Sequence, residues 1–239
     1  MAFFHEPRGR QPFLRAPAVV LALIAILVLA FTAYDLAPDS IQATLIYRFA
    51  FIPAGYSHAF YVAHPGTQPA AFELVLPFFT YMFLHGSWEH LIVNCVWLLA
   101  FGPIVARRYG WLGFLAFFFL CGIAGAAAHL ALNWGAGSPV IGASAAIAGL
   151  MGAGFRMIGS GSPAQMLSGE GPLAPLLSPR IVIWSAVWVA INVAAGLLGL
   201  GAGSGVQVIA WEAHLGGYFA GLLLAGPFDR LRQSSVSLG

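Results

Sequence analysis

Long charge-free apolar stretches limit what this chain can fold into more than any other feature. No formally charged side chain occurs between Arg108 and Arg156, over the 47 residues from 109 to 155. A helix needs about 20 mostly apolar residues to cross the hydrocarbon core of a bilayer, so this stretch is long enough for two crossings. Hydrophobic residues make up 60% of the chain and charged residues 8%, which is far from the balance of a soluble globular protein. The sequence predicts an all-α, polytopic membrane protein.

Six apolar segments are predicted to be transmembrane helices. They cover about residues 16–34, 88–106, 111–132, 144–156, 181–198 and 210–226. The first contains 19 uncharged residues, a length that favours a retained span over a cleaved signal peptide, although Ala30-Phe31-Thr32-Ala33 is a passable cleavage site. Residues 35–84 are apolar and aromatic but interrupted by Pro and Gly. They are expected to form a membrane-embedded or interfacial loop.

The arginines orient these helices. All ten basic residues are Arg, and only Arg48 falls on one side of the six predicted spans. The other nine are Arg8, Arg10, Arg15, Arg107, Arg108, Arg156, Arg180, Arg230 and Arg232. Because basic residues are enriched in cytoplasmic loops, both termini are expected in the cytoplasm. The compact chain favours a bacterial plasma membrane as its location.

The predicted organisation has three parts. Residues 1–15 form a cytoplasmic N-terminal segment, residues 16–226 a six-span membrane domain, and residues 227–239 a cytoplasmic tail. The orientation places Ser144 and His214 at the outer ends of their spans. The polar residues at 85–94 lie at the same level, so the three sets share one depth in the membrane.

Composition and spacing exclude several classes of function. The net charge of +2 is small and scattered, which argues against nucleic acid as a partner. Cys95 and Cys121 lie in apolar runs and are expected to be buried free thiols. His85, Glu89 and His90 come close to the H-x-x-E-H zinc signature, but one extra residue turns His85 by about 100° away from His90 on a helix. No metal or other cofactor is expected.

A serine among very small residues is the first candidate for chemistry. Ser144 lies in the run 142–149, Gly-Ala-Ser-Ala-Ala-Ile-Ala-Gly, directly after the helix-breaking residues 133–139. Such a serine can approach another helix closely, although small-residue patches with Ser are also routine packing surfaces in membranes. The run is not a nucleophile elbow, because Ala146 stands where that motif needs Gly.

Two further polar residues lie near the start of the second predicted span. His90 and Asn94 are four residues apart, so on a helix they share a face and can point at a common position. Ionisable and strongly hydrogen-bonding groups within spans are costly and mark functional sites by default. Hydrogen bonding between helices is the alternative interpretation of both residues.

A histidine precedes a close-packing motif in the sixth span. His214 lies one turn before Gly217-x-x-x-Gly221, a pattern that permits close approach of a partner helix. The matching small residues of the fourth span are Ala145, Ala148, Gly149 and Gly152. A tight crossing would bring His214 toward Ser144, where a base makes a serine nucleophilic. His129, alone in the third span, is interpreted as a packing or interfacial histidine.

Three blocks in this order resemble the rhomboid family of intramembrane serine proteases. The blocks are His85-x4-His90-x3-Asn94, Gly142-x-Ser144 and Ala213-His214-x2-Gly217-x3-Gly221, and the resemblance runs from about residue 73 to 226. It implies a rhomboid-like bundle of six helices.

The resemblance also implies roles for individual residues. Ser144 would be the nucleophile and His214 the general base, and His90 and Asn94 would complete an oxyanion hole with the Ser144 backbone N–H. Structural support would come from His85, Gly142, Gly217 and Gly221. Three departures stand out, all by comparison with the family's usual residues: Ala145 replaces a glycine, Ala148 replaces an aromatic residue that stacks on the imidazole, and Leu76-Pro77 replaces a Trp-Arg pair.

Three functions remain open at this point. The first is an intramembrane serine endopeptidase that cleaves single-span membrane proteins near the outer face of the lipid bilayer. The second is a non-catalytic relative that binds membrane helices. The third is a small transporter, although the chain shows no inverted repeat with interrupted helices. The sequence gives no indication of an oligomeric state.

Overall fold

The computed structural model describes residues 16–67, 69–158, 169–199 and 209–236, and most of these residues are helical. The helices are α1 (Ala18–Asp35), α2 (Asp39–Phe49), α3 (His58–Ala63), α4 (Ala71–Val75), α5 (Pro77–Thr80), α6 (Trp88–Leu132), α7 (Ser144–Ile158), α8 (Pro179–Leu197) and α9 (Trp211–Val236), with 3₁₀ turns at Pro53–Tyr56 and Tyr81–Phe83. Within these ranges the only β pairing is an isolated antiparallel bridge between Phe51 and Val140. The all-α prediction is confirmed.

Among the described residues, three helices are long and apolar enough to cross a membrane, namely α1, α6 and α8. The count of six spans stays a prediction. Helix α6 is interrupted at Gly110, whose φ of 72° and ψ of 178° are not helical. A positive φ is accessible to glycine without steric cost, so Gly110 divides α6 between the segments predicted as the second and third spans.

The centre of the fold is α7, which is enclosed by α6 and α9. Nearly every residue of α7 is buried, and most of them are Ala or Gly. Helix α1 packs on α6 through buried residues that include Val20, Leu27 and Phe31. Helix α8 lies at the outside, with Ile181 as its single buried residue.

Helices α7 and α9 touch backbone to backbone. A methyl group on Gly217 would collide with the carbonyl group of Ala145, and one on Gly221 would collide with the carbonyl group of Gly149. One turn further on, a methyl group on Gly152 would lie 2.5 Å from the carbonyl oxygen of Tyr218. This is the close crossing that small residues permit in membranes.

A polar cluster lies at the end of the bundle where α7 ends. Arg108 is 4% exposed, and its guanidinium donates to Asp229 Oδ1 at 2.7 Å and to the carbonyl oxygens of Gly169 and Gly171. Arg156 donates to the carbonyl oxygen of Ala174 at 3.0 Å. The loop that leads into α8 is thereby attached to α6 close to its break at Gly110, and to the last turn of α7.

Helix α9 continues beyond the predicted end of the sixth span at residue 226. It runs to Val236 and includes Pro227. The predicted tail begins at residue 227, so most of its residues are helical. Asp229, in this extension, pairs with Arg108 of α6 at 2.7 Å.

The segment predicted as an interfacial loop is folded onto the bundle. Its short helices and turns hold Tyr81, which is 1% exposed and donates its hydroxyl to the Gly122 carbonyl at 2.7 Å. The backbone of Phe51 exchanges two hydrogen bonds with Val140, at 2.8 and 3.0 Å, and the carbonyl of Tyr81 accepts from the Gly142 N–H at 2.9 Å. These bonds fix the residues that lead into Ser144.

Candidate active site

Ser144 and His214 form a hydrogen bond across the crossing of α7 and α9. The distance from Ser144 Oγ to His214 Nε2 is 2.7 Å. Ser144 is the first residue of α7 and His214 lies in the first turn of α9, and both are half-buried. The contact of Gly217 with Ala145 explains the short distance, because each of these residues lies within one turn of the serine or the histidine.

Gly142 connects this pair to the polar residues of α6. Its φ is +109°, in the left-handed region that glycine adopts freely. A Cβ at this position would lie 2.6 Å from His90 Nε2 and 3.9 Å from Asn94 Nδ2. The segment that leads into Ser144 therefore passes directly over His90 and close to Asn94.

The start of α6 positions these two side chains. Ser87 caps the helix, and its Oγ accepts the backbone N–H of His90 at 3.2 Å, which satisfies one of the free donors of the first turn. Asn94 Nδ2 donates to the His90 carbonyl at 2.9 Å. That bond uses one of the two amide hydrogens.

His85 lies behind His90. It is 1% exposed, and its ring meets that of His90 edge to face at 5.1 Å and that of Phe31 at 6.5 Å. Burial, together with the neighbouring His90, lowers the pKa of His85 to about 3. His85 is therefore neutral at physiological pH and packs against the ring that faces Gly142.

A residue that the sequence analysis did not name completes the surroundings of His214. The Nδ1 atom of His214 lies 3.0 Å from Asn192 Oδ1, on α8. The amide nitrogen of Asn192 donates to the Trp188 carbonyl at 2.9 Å. The signal was present in the sequence, because Asn192 is a strongly hydrogen-bonding residue within an apolar span.

The family model of the rhomboid domain matches residues 73–229. The chain belongs to the rhomboid family. The match covers Ser144, His214, His90 and Asn94, and the resemblance predicted from the sequence is confirmed. No curated protein matches the chain.

Family membership gives the general character of the protein. The rhomboid domain and the apolar helices indicate an integral membrane protein. Rhomboids are generally intramembrane serine proteases, and the family also contains non-catalytic members.

The structure shows how two residues that depart from the family's usual pattern, Ala145 and Ala148, are packed. The methyl group of Ala145 faces Gly125 of α6, where an added Cβ would lie 2.6 Å from it. Gly125 thus leaves the space that Ala145 fills. Ala148 packs in a buried cluster with Ile181 and Tyr218.

His129 has a charged neighbour. Its Nδ1 lies 3.4 Å from Glu212 Oε2 and 3.3 Å from Asn133 Nδ2. Glu212 precedes His214 by two residues, so this pair joins the end of α6 to the beginning of α9. The interpretation of His129 as a packing or interfacial histidine stays a prediction.

Metal ligands do not gather in the described ranges. No group of three or more His, Cys, Asp or Glu side chains is placed to hold an ion there. Cys121 is buried and Cys95 is half-buried, and both are free thiols.

Proposed function

We propose that this rhomboid is a serine endopeptidase that cleaves membrane-spanning segments of other proteins. The observation that carries the proposal is the 2.7 Å hydrogen bond between Ser144 Oγ and His214 Nε2. A serine hydroxyl is a weak nucleophile by itself and becomes effective when an adjacent base accepts its proton. His214 is the base within reach.

The first half of the reaction forms an acyl-enzyme. Ser144 Oγ attacks the carbonyl carbon of the scissile peptide bond while His214 Nε2 accepts the hydroxyl proton. The tetrahedral intermediate collapses, the C–N bond breaks, and the protonated imidazole gives its proton to the leaving amine. In the second half, water attacks the ester with His214 again as base, and Ser144 is released.

The negative oxygen of the intermediate needs hydrogen-bond donors. We assign this role to the His90 side chain, the second amide hydrogen of Asn94 and the backbone N–H of Ser144. The contact of Gly142 with His90 and its proximity to Asn94 support this assignment. As the first residue of α7, Ser144 has a backbone N–H without a carbonyl partner inside the helix. The positive end of the α7 dipole favours negative charge at the same place.

The substrate class follows from the membrane. A peptide in lipid keeps its carbonyls in internal hydrogen bonds, so a substrate helix must unwind before Ser144 attacks it. We therefore propose single-span proteins with small or helix-weakening residues near the cleavage site. Ser144 is the first residue of α7, and we place it near the outer membrane surface, from which water can enter.

The site is proposed to face the outside of the cell. Arg108 and Arg156 lie together at the end of the bundle opposite Ser144, joined to Asp229 and the loop before α8. Basic residues collect on the cytoplasmic side, which supports an outward-facing serine.

Reconstitution with a panel of single-span helices tests the proposal. Purified protein in liposomes should cleave at least one helix of the panel, and Ser144→Ala should cleave none. If the parent binds the helices and cuts none of them, the activity is that of a non-catalytic helix-binding rhomboid. Cleavage that persists in Ser144→Ala would also overturn the assignment.

A further inference from the structure

Helix α8 contacts α9 and its His214 through a narrow stripe of residues. Most of the helix is exposed, and its inward contacts come from residues three or four apart. Ser185 Oγ lies 2.7 Å from the Tyr218 hydroxyl, Trp188 stacks on the Tyr218 ring at 4.3 Å, and Asn192 reaches His214. These three residues share a face of the helix.

The amide of Asn192 has a defined orientation. A backbone carbonyl oxygen only accepts hydrogen bonds, so the amide atom that faces the Trp188 carbonyl is the nitrogen. The other amide atom, Oδ1, is therefore the one that faces His214. Because Oδ1 is also only an acceptor, the Nδ1 atom of His214 must carry a proton.

This orientation settles the form of the imidazole. A neutral histidine carries one ring proton, so a proton on Nδ1 leaves a lone pair on Nε2. The Nε2 atom lies 2.7 Å from Ser144 Oγ and is the atom that has to accept the hydroxyl proton. The wrong tautomer would present an N–H to the serine and would block that transfer.

We infer that Asn192 is a positioning residue that holds His214 in the tautomer and ring orientation of a general base. The inference rests on the proposed function, since it assigns a partner to the same histidine. An aspartate has this task in Ser-His-Asp triads, and an asparagine has it in Cys-His-Asn sites on unrelated folds.

The surroundings of His214 add weight to this role. In the described structure, the side chains hydrogen-bonded to the two ring nitrogens are those of Ser144 and Asn192. The stacked pair of Trp188 and Tyr218 fixes the turn of α8 from which Asn192 extends.

Variants of α8 separate positioning from general packing. Asn192→Leu removes the acceptor and keeps a similar volume, whereas Asn192→Asp keeps an acceptor oxygen. Ser185→Ala is the matched control, because it removes a hydrogen bond between the same two helices at Tyr218 without touching His214. The readout is the rate of covalent labelling of Ser144 by a fluorophosphonate in detergent.

The expected pattern is specific to Asn192. Asn192→Leu should label at least about tenfold more slowly than the parent, because the base loses its orientation. Ser185→Ala should label at the rate of the parent, and Asn192→Asp should label faster than Asn192→Leu. Equal rates for the parent and Asn192→Leu, or equal losses in Asn192→Leu and Ser185→Ala, would overturn the inference.

A second measurement needs no reaction. In protein labelled with ¹⁵N at histidine, the ring shifts of His214, assigned by comparison with His214→Ala, report which nitrogen carries the proton. The parent should show the Nδ1–H form, and Asn192→Leu should show a mixture or the Nε2–H form. An unchanged Nδ1–H form in Asn192→Leu would overturn the inference. If the parent is not labelled and also cleaves no helix of the panel, the proposed protease function fails, while the ring shifts still decide the role of Asn192.

Discussion

Gly217 of α9 packs directly on the backbone carbonyl of Ala145, the residue that follows the proposed nucleophile. One turn before Gly217 on α9 is His214, so this single contact sets how far the imidazole lies from Ser144. The same contact repeats one turn along, where Gly221 meets the carbonyl of Gly149. The distance between Ser144 and His214, the proposed catalytic pair, is therefore a consequence of backbone packing.

Substitution at the crossing is expected to abolish activity. A side chain at Gly217 has no space against Ala145, so Gly217→Val should push α9 away from α7. A displacement of about 1 Å can cost about 10²-fold in rate, and we expect at least that loss in substrate cleavage. Gly226→Ala on the same helix is the control, because an added methyl meets only Arg156 Nη1 at 3.9 Å. Normal cleavage by Gly217→Val would refute the link between packing and chemistry.

Gly142 is expected to tolerate no side chain. In Gly142→Ala the methyl group would meet His90 Nε2 at 2.6 Å, and the backbone would be held at a φ of +109°, a strain of about 1–3 kcal/mol. We expect loss of labelling at Ser144 with expression retained. Gly137→Ala, in the same loop, has open space around an added methyl and should behave as the parent. Equal labelling of the two variants would mean that Gly142 has no special role.

The proposed oxyanion donors should show graded losses. His90→Ala and Asn94→Ala should each lower kcat by about 10- to 1000-fold, equivalent to about 1.4–4 kcal/mol, because each removes a donor that acts in the transition state. KM should change less than kcat. Steady-state kinetics on one cleavable helix measures both. Full activity in both variants would leave the two residues as helix-packing groups only.

Much of the fold could be predicted because the membrane imposes simple rules. The charge-free run between Arg108 and Arg156 predicted apolar helices, and Gly110 follows Arg107-Arg108 at a break between them. The G-x-x-x-G pattern predicted the crossing that brings Ser144 and His214 together. These signals are local, so one stretch of sequence is sufficient to show each of them.

The contacts that could not be predicted join residues far apart in the chain. Asn192 reaches His214 because Trp188 stacks on Tyr218 and sets the position of α8, and no sequence spacing reports that packing. Asp229 of α9 pairs with Arg108, 121 positions earlier. Both are consequences of tertiary packing.

The arginine distribution makes a prediction about topology. Reporter fusions after Pro175 should behave as cytoplasmic and fusions after Gly66 as extracytoplasmic, because the proposed orientation puts Arg108 and Arg156 at the cytoplasmic end of the bundle. Paired alkaline phosphatase and fluorescent protein fusions at each position provide the measurement. An extracytoplasmic signal after Pro175 would reverse the proposed orientation and place Ser144 at the inner face.

Covalent labelling tests the chemistry most directly. A fluorophosphonate presents an electrophilic phosphorus to Ser144 Oγ, and attack displaces fluoride once His214 has accepted the hydroxyl proton. Labelling should therefore occur at Ser144, vanish in Ser144→Ala and fall sharply in His214→Ala, as mass spectrometry of the labelled peptide would show. It should also fall as the pH drops, since a protonated imidazole no longer accepts a proton, and a chelator should leave it unchanged.

A protein that only binds or transports has no need to activate this one hydroxyl. Labelling that survives His214→Ala at the parent rate would remove His214 as the base, and absence of both labelling and cleavage across the helix panel would overturn the protease function.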